Sequence, residues 1–187
     1  MQPREGDRVL HVGCGAGYYS AVLAACVGNS GSVTALEVDA DLAAQARRNL
    51  MNRSNVSVRD ADLQQLPAGV FDIAIVSAGL SHPPAALLDA IAPGGRIVLP
   101  LTATFPQMGP LGKGLVFRLE RASSGPDFTV QRLSFVMIYS AVGLRDDRMN
   151  EALGTALMRG TSPARLRRDP HDASAECWLH GDGFCLA

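Results

Sequence analysis

The sequence predicts an α/β protein: a doubly wound, mostly parallel sheet with an added antiparallel hairpin. Three observations carry this. Short β-rich runs alternate with helical stretches as far as Leu101, the pattern that right-handed crossovers build into a parallel sheet. One run, Phe71 to Ser77, is almost continuously apolar, as a strand buried on both faces is. Beyond Leu101 the pattern changes to two alternating runs joined by a turn, which is a hairpin signal.

Strand one is Val9 to Val12, entered from the turn Glu5-Gly6-Asp7 and ending in Gly13-Cys14-Gly15-Ala16-Gly17. The helix Tyr18 to Val27 stops at Gly28-Asn29, which suits a helix C-terminus. Val33 to Val38 is strand two. Asp39 sits where an N-cap belongs, before a helix over Asp41 to Asn52 with Leu42, Ala46 and Leu50 at helical spacing. Asn55 to Arg59 is strand three and Phe71 to Ser77 strand four. Ser81-His82-Pro83-Pro84 reads as a helix start, Ala85 to Ala92 as the helix, and Pro93-Gly94-Gly95 as its end. Arg96 to Leu101 is strand five. Thr102 to Gly114 reads as a Gly/Pro-rich loop. Leu115 to Arg121 and Phe128 to Tyr139 form the hairpin around Ser123-Ser124-Gly125-Pro126-Asp127. Met149 to Met158 is a helix, and Thr161 to Ala187 has no clear period.

Length fits one domain over 1–187, since 187 residues leave little room for a second. Within it, 6–143 is the expected ligand-binding core and 144–187 a C-terminal helix with an irregular tail. Apolar residues make up 47% and charged residues 19%, so the chain can bury a core and is not disordered overall. Net charge is −1, which argues against a nucleic-acid binder that depends on a basic footprint. No apolar stretch reaches signal-peptide or membrane-span length. Four cysteines, Cys14, Cys26, Cys177 and Cys185, are too few for a disulfide scaffold. The expectation is a cytoplasmic protein with reduced thiols, no membrane partner and no nucleic-acid partner.

The first chemical signal is the glycine loop between strand one and the helix. Such a loop lets backbone approach a ligand closely. Its glycines fall at 13, 15 and 17, as G-x-G-x-G, and Tyr18 stands where a dinucleotide fingerprint wants its third glycine. The pattern points to a nucleoside cofactor without a pyrophosphate. The alternative is a tight turn whose glycines serve packing. The second signal is Glu37 at the end of strand two, where a carboxylate can accept both ribose hydroxyls; the alternative is a solvated strand end. The third is Asp60-Ala61-Asp62 after strand three, on the ligand side of a parallel sheet. There Asp60 can accept from an adenine amino group and the Ala61 amide can read a ring nitrogen. An ordinary Asp-rich turn weighs equally.

Over roughly Gly6 to Leu101, GDRVLHVGCGAGYYSAVLAACVG, VTALEVDADLAAQARRNL, VSVRDADLQQLPAGVFDIAIVSAG and LLDAIAPGGRIVLPL resemble the protein-L-isoaspartate O-methyltransferase family in order and spacing. The hairpin that follows is similar in kind. The resemblance implies a Rossmann-like methyltransferase sheet, S-adenosylmethionine as cofactor and S-adenosylhomocysteine as product. The implied reaction is methyl esterification of an isoaspartyl carboxylate on a protein or peptide. Residue by residue, it sets Gly13, Cys14, Gly15 and Gly17 against the amino-acid and ribose parts of the cofactor. It sets Glu37 on the ribose, Asp60 and Ala61 on the adenine, and Ser77 near the methyl-transfer region. Two other readings stand beside it: a methyltransferase for a small molecule or another peptide carboxylate, and a non-catalytic cofactor-binding module.

The sequence departs from the family pattern at two places. His11 stands where the family usually has an acidic residue, which removes a partner for the cofactor's ammonium or makes His11 a structural histidine. The family's helical segment ahead of strand one, with its serine-containing substrate loop, has about seven residues in its place. An isoaspartyl carboxylate is ionised near neutral pH and needs no general base, so no catalytic residue is assigned; His82 is the nearest base by position. In the tail, His171, Cys177, His180 and Cys185 are spaced H-x5-C-x2-H-x4-C. That spacing matches no familiar zinc finger, and free packing thiols are the preferred reading over a metal site.

Overall fold

The computed structural model describes residues 1–60, 63, 66 and 68–187. Its strands are β1 (Arg8–Val12), β2 (Ser32–Leu36), β3 (Val56–Arg59), β4 (Phe71–Val76), β5 (Ile91–Thr104), β6 (Leu111–Arg121), β7 (Phe128–Tyr139), β8 (Arg165–Arg167), β9 (Leu179–Gly181) and β10 (Phe184–Leu186). Its helices are α1 (Tyr18–Val27), α2 (Ala40–Asn49), α3 (Ala85–Asp89) and α4 (Asp147–Met158). All ten strands join one sheet in the order β3-β2-β1-β4-β5-β6-β7-β8-β10-β9. Pairing is parallel from β3 to β5 and antiparallel from β5 onward. The predicted class, a doubly wound parallel sheet with antiparallel strands added, is the class observed.

Alternation along β1 explains how the sheet is covered. Val9 packs with Leu23, Ala24 and Val27 of α1, while Leu10 and Val12 face the opposite side, as successive strand residues must. That opposite side holds the main core, which runs from Leu10 through Leu99 and Phe117 to Trp178 and Leu186. A small third cluster of Cys14, Ala35, Ala46 and Leu50 lies under α2. Asp39 caps α2 as predicted, accepting from the amides of Asp41 and Leu42 at 3.0 Å each.

Three segments differ from the sequence reading. First, α3 ends at Asp89, and Pro93-Gly94-Gly95 lies inside β5. The β4–β5 register shifts between Phe71 and Ile73, so the Pro-Gly pair marks a strand irregularity rather than a helix end. Second, the expected loop from Thr102 to Gly114 shrinks to one 3-10 turn, Pro106–Met108. Thr102 and Ala103 are buried and pair with Gly114 and Lys113, so the ladder satisfies their backbone. Third, the tail forms three strands of three residues each. Ser81 also has another role than predicted. Pro84 is the N-cap of α3, and the Ser81 hydroxyl accepts from the Asp146 amide at 2.9 Å, at the entry to α4.

Candidate active site

The carboxyl ends of β1, β2 and β4 meet at the glycine loop. The loop is pinned to β2 because the amides of Gly13 and Cys14 donate to the Leu36 carbonyl at 2.9 and 3.0 Å. It closes on itself where the Gly17 amide donates to the Cys14 carbonyl at 3.0 Å. It reaches Glu37 through the Gly15 amide, which donates to Oε2 at 2.7 Å. Oε1 accepts from the amides of Val38 and Asp39 at 2.9 and 3.1 Å.

Among the described residues Glu37 is the one buried acidic side chain, 8% exposed. A buried carboxylate is tolerated only with donors around it, and three amides supply them. They use three of its roughly four lone-pair positions, so acceptor capacity remains on Oε2. A grip on both ribose hydroxyls requires the Gly15 amide to leave Oε2.

Gly15 and Gly17 serve the loop differently. Both have left-handed φ, 55° and 92°. A Cβ on Gly17 would stand 2.7 Å from Leu50 Cδ1, so its bareness lets the loop pack against the end of α2. A Cβ on Gly15 would meet nothing within 4 Å. The space over Gly15 is open, as a ligand cradle requires.

Cys14 contributes backbone only. Its thiol is buried in the cluster under α2, and burial, with Glu37 nearby, pushes it up to about 11. Such a thiol is unreactive near neutral pH. On β4's end, Ser77 Oγ lies 2.9 Å from His11 Nε2, and His11 Nδ1 lies 2.8 Å from Ser20 Oγ on α1. Burial lowers His11 to about 4, so it is a neutral bridge between the strand and the helix. The sequence raised a structural His11 but not its partner Ser20, whose only signal was its place on the buried face of α1.

The other predicted residues lie farther out. Asp60 stands exposed at the end of β3, its Oδ2 3.1 Å from the Arg47 guanidinium on α2. Ala61 lies outside the described residues. His82 Nδ1 is 3.0 Å from Ser81 Oγ, its ring stacks on Phe184, and burial lowers its pKa. A separate apolar groove of about 570 Å³ lies between β6, β7 and α4, lined by Phe105, Leu115, Phe135, Met137, Leu157 and Met158. In the tail, the ligand atoms of His171, Cys177, His180 and Cys185 lie within 4.8 Å of one another.

Sheet order and loop define a doubly wound α/β protein with a glycine loop at the carboxyl edge of its parallel strands, where ligands bind in such sheets. The sequence model of "Protein-L-isoaspartate(D-aspartate) O-methyltransferase" matches residues 1–112, and the chain belongs to that family. A protein-L-isoaspartate O-methyltransferase of Ignicoccus hospitalis is 40% identical over 102 residues, 52% of this chain and 48% of the relative. One from Archaeoglobus fulgidus is 33% identical over 146 residues, 76% of this chain and 64% of the relative. The chain thus spans about half to two thirds of the length of these curated relatives. Among solved structures, a protein-L-isoaspartate O-methyltransferase superposes with a TM-score of 0.65 at 23% identity, over 89% of this chain and 50% of that one. A Plasmodium falciparum structure described as a putative member in complex with S-adenosyl-L-homocysteine gives 0.60 at 21% identity, over 73% and 66%. These likenesses confirm the fold. No helix among the described residues is long and apolar enough to cross a membrane.

Proposed function

We propose that this chain is the S-adenosylmethionine-binding core of an isoaspartyl-type carboxyl O-methyltransferase that acts on protein or peptide. The observation that carries the reading is the open space over Gly15 beside the buried Glu37 carboxylate, at the carboxyl ends of β1 and β2 in a chain of this family. The residues suit the cofactor. The cradle over Gly15 is open, and an anionic acceptor is buried beside it. Gly13, Cys14 and Gly15 would hold the amino-acid and ribose parts through backbone, and Glu37 the ribose. Asp60 would reach the adenine after releasing Arg47, with Ala61 beside it. Gly17 sets the loop's shape, and Ser77 stands at the methyl-transfer end.

The cofactor, when bound, supplies an electrophilic methyl on a sulfonium. The chain's own residues would orient the partners, which is much of what such a transfer needs. Among the described residues the imidazole at the loop offers no base: His11 is neutral, with both nitrogens occupied. That favours an acceptor already ionised near neutral pH, a carboxylate, over a hydroxyl or amine.

Calorimetry with S-adenosylmethionine and S-adenosylhomocysteine, then transfer of labelled methyl to an isoaspartyl peptide and its aspartyl isomer, tests the reading. Binding of both ligands and transfer to the isoaspartyl peptide alone are expected. No binding at millimolar ligand overturns the cofactor assignment. Binding without transfer overturns the acceptor and leaves a binding module.

A further inference from the structure

We propose that the C-terminal tail holds a structural zinc ion, ligated by His171, Cys177, His180 and Cys185. The site lies in the tail strands and is separate from the glycine loop.

The geometry comes first. Four ligand atoms lie within 4.8 Å of one another, without a carboxylate among them. Cys177 Sγ is 4.0 Å from His171 Nε2 and 3.9 Å from His180 Nδ1. Zinc bonds of about 2.3 Å to sulfur and 2.0–2.1 Å to nitrogen in a tetrahedron set sulfur and nitrogen about 3.5 Å apart. Closing these two distances takes about half an ångström, and closing the widest pair of the set, at up to 4.8 Å, takes about one ångström or slightly more. β9 and β10 place two ligands in register, since His180 and Cys185 are directly paired residues and so share a face of the hairpin. Cys177 and His171 come from the segment that leads into β9.

The donor set selects the metal. Two thiols and two imidazoles suit zinc, whereas magnesium and calcium want oxygen. Four protein ligands leave no open position, which makes the site structural rather than catalytic.

The surroundings are those of a ligand set. His171 Nδ1 donates to the Asp169 carbonyl at 2.8 Å, so the lone pair on Nε2 faces Cys177. Arg167 in turn holds the Asp169 carboxylate at 3.0 and 2.9 Å. The Ser174 amide donates to Cys177 Sγ at 3.3 Å. Partners of this kind fix the tautomer and orientation of metal ligands. The strands that carry two of the ligands are three residues long, at the short end of the usual range.

The test uses the full chain, free of any affinity tag, purified under reductant and then incubated with zinc. Native mass spectrometry is expected to show one zinc per chain. Cobalt(II) in its place should give the intense visible bands of a tetrahedral site and thiolate charge transfer in the near ultraviolet. Cys185 is fully buried, so its loss endangers folding by itself; His171 sits on a loop and is the better probe. His171→Ala should keep the far-ultraviolet circular dichroism and bind zinc about 100-fold more weakly. Absence of bound zinc after reconstitution overturns the proposal. So does an octahedral cobalt spectrum without thiolate bands, or a Cys177–Cys185 disulfide under reductant. Unchanged zinc affinity in folded His171→Ala overturns the assignment of that ligand set.

Discussion

Single residues of the glycine loop separate packing from binding. Ala at position 15 would accept a left-handed φ at about 1–2 kcal/mol and place its methyl in open space. Gly15→Ala is therefore expected to lose no more than that about 1–2 kcal/mol in urea unfolding, while its affinity for S-adenosylmethionine falls at least about tenfold in calorimetry. Gly17→Ala meets a φ of 92°, outside the left-handed window that L-residues tolerate, and drives a methyl to 2.7 Å from Leu50 Cδ1. Overpacking adds about 1–3 kcal/mol, so its urea midpoint should fall well below that of Gly15→Ala. His11 makes a pH prediction. Its folded pKa, about 4, lies below the unfolded value of about 6.5. Between these the unfolded chain binds the extra proton, so this contribution is whole above pH 6.5 and is lost as pH falls toward 4. About 3 kcal/mol is at stake. His11→Gln cannot titrate, and its stability should show a shallower slope against pH over that window; equal slopes would refute a neutral buried His11.

At the scale of elements, what announced itself in the sequence was whatever carried local punctuation. α1 is legible to its bounds because glycines flank it at both ends, and β4 to within one residue because a nearly continuous apolar run has one natural place in a parallel sheet. β5 was misread at both ends. Pro93-Gly94-Gly95 is normally a stop signal, yet pairing with β4 resumes beyond it in a shifted register. That pairing is a long-range property no window of sequence contains. The tail strands are hard to read because three residues hold no period; β8 pairs with distant segments, as Arg167 does with Cys185, while β9 and β10 form a hairpin too short to alternate visibly. The candidate site divides likewise. The glycines and Glu37 were legible from spacing, whereas the use of Glu37 to hold the Gly15 amide, and of Asp60 to hold Arg47, depends on side-chain positions. The legible cap can be tested at this scale. Asp39→Ala removes two hydrogen bonds to the first turn of α2 and should cost about 1 kcal/mol in urea unfolding, with the α2 amides showing the largest gain in hydrogen exchange.

The whole molecule is tied together by its main core, which includes Leu10 and Val12 of β1 together with Trp178, Leu179, Phe184 and Leu186 of the tail. Trp178 is the central joint. It is 6% exposed, its ring meets Phe117 of β6 edge to face at 5.8 Å, and its Nε1 donates to the Thr161 carbonyl at 3.1 Å. A tail docked on the same apolar cluster as the cofactor-side strands has no core of its own to retain when that cluster opens. The chain should then unfold as one cooperative unit. Trp178 is the single tryptophan in the sequence, so its fluorescence reports release of the tail alone. Far-ultraviolet circular dichroism reports the helices, which lie mostly on the other segments. In urea the two signals are expected to trace one transition with the same midpoint and slope. A fluorescence transition that precedes the circular dichroism change would show the tail peeling off as a separate unit. Trp178→Ala should lower the shared midpoint by the equivalent of about 3–5 kcal/mol, followed by circular dichroism. The loss would reach β1 and β4, far from the substitution in sequence, because Leu10 and Val12 of β1 and Phe71, Ala74 and Val76 of β4 share the main core with the residues that dock the tail.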